Sequence, residues 1–256
     1  MIRLLLENQN ISIDQNITLK DNAFHYLANV MRCKLKDSLE VFNGNSSSFL
    51  AEIIEIQKKS ILIKIYQEIK EYRKSSNISL AFAINKKNDF IAEKATELGV
   101  AKFQPLITTN TFCQNFNDKR FYHNVKEAVE QSERNDLPTI ESLTHLEKWL
   151  AKIDFTSKIL IFCSERGGQR IINIFNKIKF DDIDCTNNPE IIILVGPEGG
   201  FSNEEFHRIS QLTEETSKIF SIPRIYQISL GQEILRLETA IISSIAIIKE
   251  FMTQGL

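Results

Sequence analysis

Gly196-Pro197-Glu198-Gly199-Gly200 places three glycines, a proline and a carboxylate in five consecutive residues. Glycine lets a backbone approach a bound group closely and tolerates positive φ, while proline fixes one dihedral and stiffens the loop. That combination suits the cradle of a ligand, although a tight turn without a ligand would use the same residues. A second glycine segment follows in Ser229-Leu230-Gly231-Gln232-Glu233-Ile234-Leu235, and it runs directly into Arg236-Leu237-Glu238. Glu238 in the first turn of a helix suits the helix dipole, which is a sufficient reason for it to be there. Arg236 opposes that dipole and calls for an anionic partner such as a phosphate, a carboxylate or a charge that develops during a reaction. Two positions apart, the pair does not share a helical face, so no intrahelical salt bridge explains it.

The elements around these residues set both loops at strand ends. Ile191–Val195 reads as a buried strand, and Ser202 with Glu205 forms a capping box that starts a helix just beyond Gly200. Gln227–Leu230 reads as the strand that feeds the second loop. Open α/β sheets bind ligands at the carboxyl ends of their strands, which points to a nucleotide-like cofactor. The first loop lacks the Gly-Lys-Ser/Thr of a phosphate loop and the spacing of a dinucleotide fingerprint, and Glu214 and Glu215 fall on a helix instead of a strand end. Phosphoryl transfer and hydride chemistry are therefore disfavoured.

From residue 78 onward strands and helices alternate, which predicts a parallel α/β sheet. The pattern gives strands at Ile78–Ile84, Val100–Pro105, Lys158–Cys163, Glu190–Val195, Lys218–Ile222 and Gln227–Leu230. Helices are expected at Asp89–Leu98, closed by Gly99, at Asp118–Arg134 and at Leu146–Lys152. The last helix, Leu235–Met252, is apolar nearly all round, so it is expected to pack on the sheet and also on a second copy of the chain. Residues 1 to 70 read as a small antiparallel barrel. It carries one helix, capped by Asp21 and running from Ala23 to Met31, and a hairpin at Asn43-Gly44-Asn45. The polar segment from Lys70 to Asn77 reads as a linker.

The 256 residues are 43% hydrophobic and 25% charged with a net charge of −2, so any contact with nucleic acid must use a local patch. Cys33, Cys113, Cys163 and Cys185 are widely spaced, and the four histidines form no ligand pattern, which suggests neither disulfides nor a metal. No apolar run is long enough to cross a bilayer, and a cytoplasmic setting is expected.

An N-terminal part, His25-Tyr26-Leu27 and then Val30-Met31-Arg32 before Val41-Phe42-Asn43-Gly44, and four matches in order carry a resemblance: Lys87 with Glu93-Lys94-Ala95-Thr96-Glu97-Leu98-Gly99-Val100; Glu130-Gln131-Ser132-Glu133-Arg134; Gly196 to Gly200; and Leu235-Arg236-Leu237-Glu238-Thr239. Together the chain resembles the RsmE family of 16S ribosomal RNA uridine methyltransferases, in the SPOUT superfamily. The resemblance implies a PUA-like RNA-binding β-barrel over 1–72, followed by an α/β SPOUT methyltransferase domain over 77–256. In that domain a deep trefoil knot lies at about 190–245, which periodicity alone could not reveal. It further implies an obligate homodimer and S-adenosylmethionine bound in a bent form at the knot. The cofactor would lie against Leu194, Gly196, Pro197, Glu198, Gly199, Gly200, Ser229, Leu230, Gly231 and Leu235.

The implied reaction methylates N3 of one uridine near the decoding region of the small subunit's 16S rRNA. Arg236 would stabilise the uridine anion, Glu238 would orient, and His25, Arg32, Lys87 and Arg134 would contact RNA. The sequence departs from the family at Glu233, where many relatives have arginine, and at Leu237, where many have threonine. A carboxylate cannot clamp a phosphate, so RNA positioning differs there. Two other readings stay open: a SPOUT enzyme with another RNA target, and an RNA-binding assembly protein without catalysis.

Overall fold

The computed structural model describes residues 1–7, 9–113, 115–175 and 189–254, and Cys185 lies outside them. The chain forms two compact units. One comprises Met1–Ser75 with Lys126–Leu137, the other Ser76–Val125 with Pro138–Leu256.

The first unit is a five-stranded sheet in the order β1-β3-β4-β5-β2. Its strands are β1 (Ile2–Leu5), β2 (Asn16–Leu19), β3 (Ser38–Phe42), β4 (Ser48–Ile56) and β5 (Ile61–Lys70). β1 and β3 run parallel, while the other pairs are antiparallel, as expected for a hairpin-rich sheet. Alternation in β4 and β5 puts Ala51, Ile53, Ile61, Ile63 and Ile65 into one core with Leu27, Leu39 and Val41. The turn after β3 is built by Asn43, whose Oδ1 accepts from the Asn45 amide at 3.1 Å and from Ser46 Oγ at 2.6 Å.

The expected helix over Ala23–Met31 is divided. α1 covers Asp21–His25, and a π-helical turn follows at Tyr26–Val30, closed by the Met31 amide on the Tyr26 carbonyl at 2.9 Å. Lys20, and not Asp21, is the N-cap residue.

The segment around Arg134 was legible only as a polar helix end, and the structure gives it a structural task. Arg134 is 7% exposed and forks onto Asp136, through Nε at 3.1 Å and Nη2 at 2.8 Å. Asp136 also accepts from the amide and hydroxyl of Ser75 at 2.9 and 2.6 Å. Arg3 in β1 pairs with Glu40 at 2.9 Å and donates to the Arg134 carbonyl at 3.1 Å, while Glu130 accepts from the Leu5 amide at 2.9 Å. The fork of Arg134, expected to contact RNA, is occupied here by a buried carboxylate.

Burial pulls the Asp136 carboxyl upward, but the hydrogen bonds and charge of Arg134 and the bonds from Ser75 outweigh it and hold the group below its ordinary value. A depressed carboxyl contributes stability above the unfolded-state value, about 4, and loses it as the pH falls through the lower folded-state value. Urea unfolding between pH 5 and 3 is therefore expected to show a steeper loss of stability for the natural protein than for Asp136→Asn. Arg134→Met, which strands the buried carboxylate, should cost about 3–5 kcal/mol at pH 7.

In the second unit, every strand of the sheet pairs in parallel, in the order β11-β13-β10-β12-β6-β7-β8, with β9 beside β7. The strands are β6 (Ile78–Ala83), β7 (Lys102–Ile107), β8 (Thr139–Ile140), β9 (Thr144–His145), β10 (Lys158–Cys163), β11 (Gln169–Arg170), β12 (Glu190–Val195) and β13 (Ile225–Ser229). The helices are α2 (Asn88–Glu97), α4 (Leu146–Leu150), α5 (Ile171–Phe175), α6 (Asn203–Ile219) and α7 (Leu237–Gln254), and α3 (Asp118–Gln131) crosses from this unit into the first.

β6, β10 and β12 are near-continuous apolar runs because helices cover both faces of such a sheet. Gly99 ends α2 at φ +92, the left-handed conformation foreseen for it. Lys218–Ile222 is not a strand. α6 carries its buried face through Ile209, Leu212 and Thr216 and runs on to Ile219, and Pro223 has no amide to give to a ladder.

Candidate active site

Strand register sets the geometry of the site. Cys163 of β10 lies beside Val195 of β12 on one side and Ile228 of β13 on the other. Three chains therefore leave the sheet at one level and at their carboxyl ends, and the cleft that they bound measures about 250 Å³. Its lining comprises Cys163, Ser164 and Glu165 after β10, Val195 to Gly200 after β12, Ser229 to Leu235 after β13, and Leu237 and Ala240 of α7. Gly196, Pro197, Glu198, Gly199, Gly200, Ser229, Leu230, Gly231 and Leu235 are thus brought together. Leu194 is the exception. It is fully buried inside β12 among Ala81, Leu160 and Ile225, and its neighbour Val195 takes the place at the cleft.

The first glycine loop is fixed from several sides. The Gly200 amide donates to the Pro197 carbonyl at 2.9 Å, and Asn110 Nδ2 donates to the carbonyls of Gly199 and Gly200 at 3.2 and 3.0 Å. Gly200 has φ +69, and a Cβ there would overlap the tip of the flexible Glu165 side chain, so it is the backbone conformation that demands glycine. Arg166 ties the end of the loop, with Nη2 on the Phe201 carbonyl at 2.9 Å and Nη1 on Asn203 Oδ1 at 2.8 Å. The capping box forms as read. Ser202 Oγ accepts from the Glu205 amide at 3.2 Å, and Glu205 accepts from the Ser202 amide at 2.9 Å and from the Thr109 amide at 2.8 Å.

Charge is one-sided inside the cleft. Glu165, Glu198 and Glu233 line it, and among the described residues the lining includes no lysine or arginine. Asn85, at the end of β6, donates through Nδ2 to Glu198 Oε1 at 3.1 Å and so aims that carboxylate. The Cys163 thiol is pushed up to about 12 by burial, against the opposing hydrogen bond of Ser244. At pH 8 about one such thiol in ten thousand is ionised, so Cys163 is expected to resist iodoacetamide in the folded protein and to react only after denaturation. Peptide mass mapping reads the difference. A protonated thiol here is also a poor nucleophile toward any electrophile held in the cleft.

Arg236 and Glu238 stand beside the cleft and do not line it. Arg236 is exposed, its carbonyl accepts the Ala240 amide at 2.9 Å, and its guanidinium makes no hydrogen bond or ion pair with the described residues. Glu238 is largely buried and forms an ion pair with Lys87. Burial pulls its carboxyl upward, but the Lys87 hydrogen bond, its own backbone amide and the charges of Lys87 and Arg236 outweigh that and leave it below its usual value. Glu238, expected to orient, and Lys87, expected to contact RNA, are each engaged by the other in this structure. His25 and Arg32 are exposed in the first unit, Arg32 with φ +55.

Sequence reasoning missed Asn85, Asn110 and the Cys163–Glu165 corner. Each sits just after a strand of the same sheet, so the strand order, had it been known, would have found them.

A parallel sheet with a cleft of glycine loops at the carboxyl ends of its strands defines an open α/β protein with a ligand crevice there. Residues 72–249 match the RNA methyltransferase domain family, and residues 19–66 match the RNA methyltransferase PUA domain. The chain belongs to the ribosomal RNA small subunit methyltransferase E family. It is 33% identical to the protein of that name from Rickettsia conorii, over 94% of this chain and 90% of the relative.

Among solved structures it is similar to the methyltransferase E of Neisseria gonorrhoeae bound to S-adenosyl methionine. The TM-score is 0.78 at 25% identity, over 98% of this chain and 97% of that one. A Legionella pneumophila methyltransferase in complex with the same cofactor gives a TM-score of 0.77 at 26% identity, over 97% of each chain.

Proposed function

We propose that this protein transfers a methyl group from S-adenosylmethionine to N3 of one uridine in the 16S rRNA of the small ribosomal subunit. The observation that carries this reading is the cleft of two glycine loops whose lining, among the described residues, offers three carboxylates and no cation. A ligand with a sulfonium and an ammonium group suits that lining by charge, and the glycine backbone admits close contact. The names of the relatives and the cofactor in two of the solved structures support the same donor and the same class of substrate. S-adenosylmethionine supplies an electrophilic methyl group when bound.

The residues of this chain do the rest. Gly196 to Gly200 and Ser229 to Leu235 hold the donor, and alignment with the uracil ring removes much of the entropic barrier. Arg236, between two lining residues and without an ion pair among the described residues, holds the negative charge that the ring carries once N3 has lost its proton. His25 and Arg32 contact RNA from the first unit.

The chain threads through itself between about 190 and 245. β13 inserted between β10 and β11, with α7 returning to pack on β12 and α2, supports that path. Two copies associate through α7, whose Ile247 is 40% exposed with Thr239 and Ala246 also open to solvent. No helix among the described residues is long and apolar enough to cross a membrane. The enzyme acts where its ribosomal substrate is, in the cytoplasm.

The test is transfer from labelled S-adenosylmethionine to small subunits that lack their native modification, followed by nuclease digestion and mass analysis. A 3-methyluridine at one site is the expected product. Cofactor binding without transfer to subunits or to naked RNA would mean a different RNA target. No cofactor binding would leave a non-catalytic RNA-binding assembly protein.

A further inference from the structure

The amino ends of the parallel strands border a second cavity, of about 220 Å³ against about 250 Å³ for the cleft at their carboxyl ends. The four adjacent strands β10, β12, β6 and β7 contribute to it, all within the second unit. Register sets Lys158 beside Glu190, Ile192 beside Ser79, Ser79 beside Lys102 and Ala81 beside Gln104, so alternation puts them all on one face of the sheet. Strands covered on both faces ordinarily carry apolar residues. α4 covers this face, where Leu146 and Leu150 pack with Ala81 and Ile192. Packing therefore accounts for the apolar members of the lining and not for the polar ones.

Most of the charge is matched inside the cavity. Lys102 pairs with Glu141 at 3.0 Å, Lys158 pairs with Glu190 at 3.5 Å, and Ser79 Oγ donates to Glu190 at 2.5 Å. Two polar groups of the lining are left over. Lys152, just past α4, is exposed, and its ammonium has no partner among the described residues. Gln104 is 9% exposed and donates through Nε2 to the carbonyls of Pro105 and Ser142 at 3.0 and 3.1 Å, while its Oε1 accepts no hydrogen bond from the described residues. Half-buried Trp149 and Ile153 add an apolar wall.

An aromatic wall, a buried acceptor and an unpaired cation call for a flat ring that bears an N–H donor and a negative charge. Bases stack on tryptophan, an amide oxygen accepts from a base N–H, and an ammonium holds a phosphate. A simple aromatic acid would leave the buried acceptor unmatched, which is costly. We propose that this cavity is a second ligand site, independent of methyl transfer, which takes a 5′-nucleotide with its base against Trp149 and its phosphate at Lys152. A free mononucleotide and one nucleotide of single-stranded RNA offer the same chemistry.

Trp149 is the one tryptophan of the chain, so its fluorescence reads the cavity directly. The full-length protein is titrated with AMP, with and without saturating S-adenosylmethionine, and Trp149 is excited where adenine does not absorb. AMP should change the emission with a Kd of about 1 mM or tighter, and adenosine or inorganic phosphate alone should bind at least about tenfold more weakly. Lys152→Glu, at an exposed position, should weaken AMP by about tenfold and leave adenosine within about twofold. Lys59→Glu, an exposed lysine of the first unit, should alter neither. A 5′-phosphorylated oligoadenylate that displaces AMP would make RNA the source of the nucleotide, and one that does not would make it a free mononucleotide; both results keep the site. No response of Trp149 to AMP, equal weakening by Lys59→Glu, or loss of the AMP signal when S-adenosylmethionine fills the cleft would overturn the inference.

Discussion

Arg236→Ala is expected to lower single-turnover methyl transfer by about 10²–10³-fold, the usual consequence of removing one preorganised donor from a developing anion. The affinity for S-adenosylmethionine should change by less than about twofold, because Arg236 does not line the cleft while Leu235 and Leu237 on either side of it do. That split between chemistry and binding is the signature of a group that acts on the reacting base. The residual rate should rise with pH, since solvent must then supply the stabilisation of the N3 anion that the guanidinium gave. A parallel loss of cofactor affinity, measured by calorimetry, would place Arg236 in the cofactor site and contradict the assignment.

Gly200→Val is the second large effect. The position has φ +69, where a β-branched residue is a steric outlier, and any Cβ collides with the Glu165 carboxylate. Glu165 can swing aside but the backbone cannot, and a change of φ would disturb the turn closed by the Gly200 amide on the Pro197 carbonyl at 2.9 Å. Cofactor affinity should fall by at least about tenfold, equivalent to roughly 1.4 kcal/mol. Thermal stability should fall as well, by the equivalent of about 1–3 kcal/mol for forced local strain.

Gly199→Ala is the control. That residue has no positive φ, and its Cβ would meet Asn110 Cβ at 3.3 Å, a contact that a small shift relieves. Its affinity should stay within a fewfold of the natural protein. Similar losses at both glycines would show that the loop tolerates no side chain at all and that backbone strain is not the reason for glycine at 200.

The elements that surround the site were legible because their signals are local. Lys158–Cys163 and Glu190–Val195 are short apolar runs between polar turns, and they form strands with those bounds. Ser202 and Glu205 satisfy each other across one helical turn, so spacing alone set the start of α6. The glycine loops announced themselves by composition. Lys218–Ile222 failed as a strand because three apolar residues in five have no decisive period of their own, and the helix before it ran on to Ile219.

What the sequence determined by itself was the rhythm of strands and helices, the two glycine loops at strand ends and the oddity of an arginine at a helix start. Pairing decided the rest. Only the order of the sheet aligned Cys163, Val195 and Ile228 and so added Glu165 to the carboxylates of the cleft. Only packing turned Arg134 inward onto Asp136 and joined Lys87 to Glu238, contacts between residues whose charges looked like ordinary surface features when read along the chain. A charge shows its sign in sequence, but whether it serves a ligand or another residue depends on which partner the fold brings within hydrogen-bonding distance.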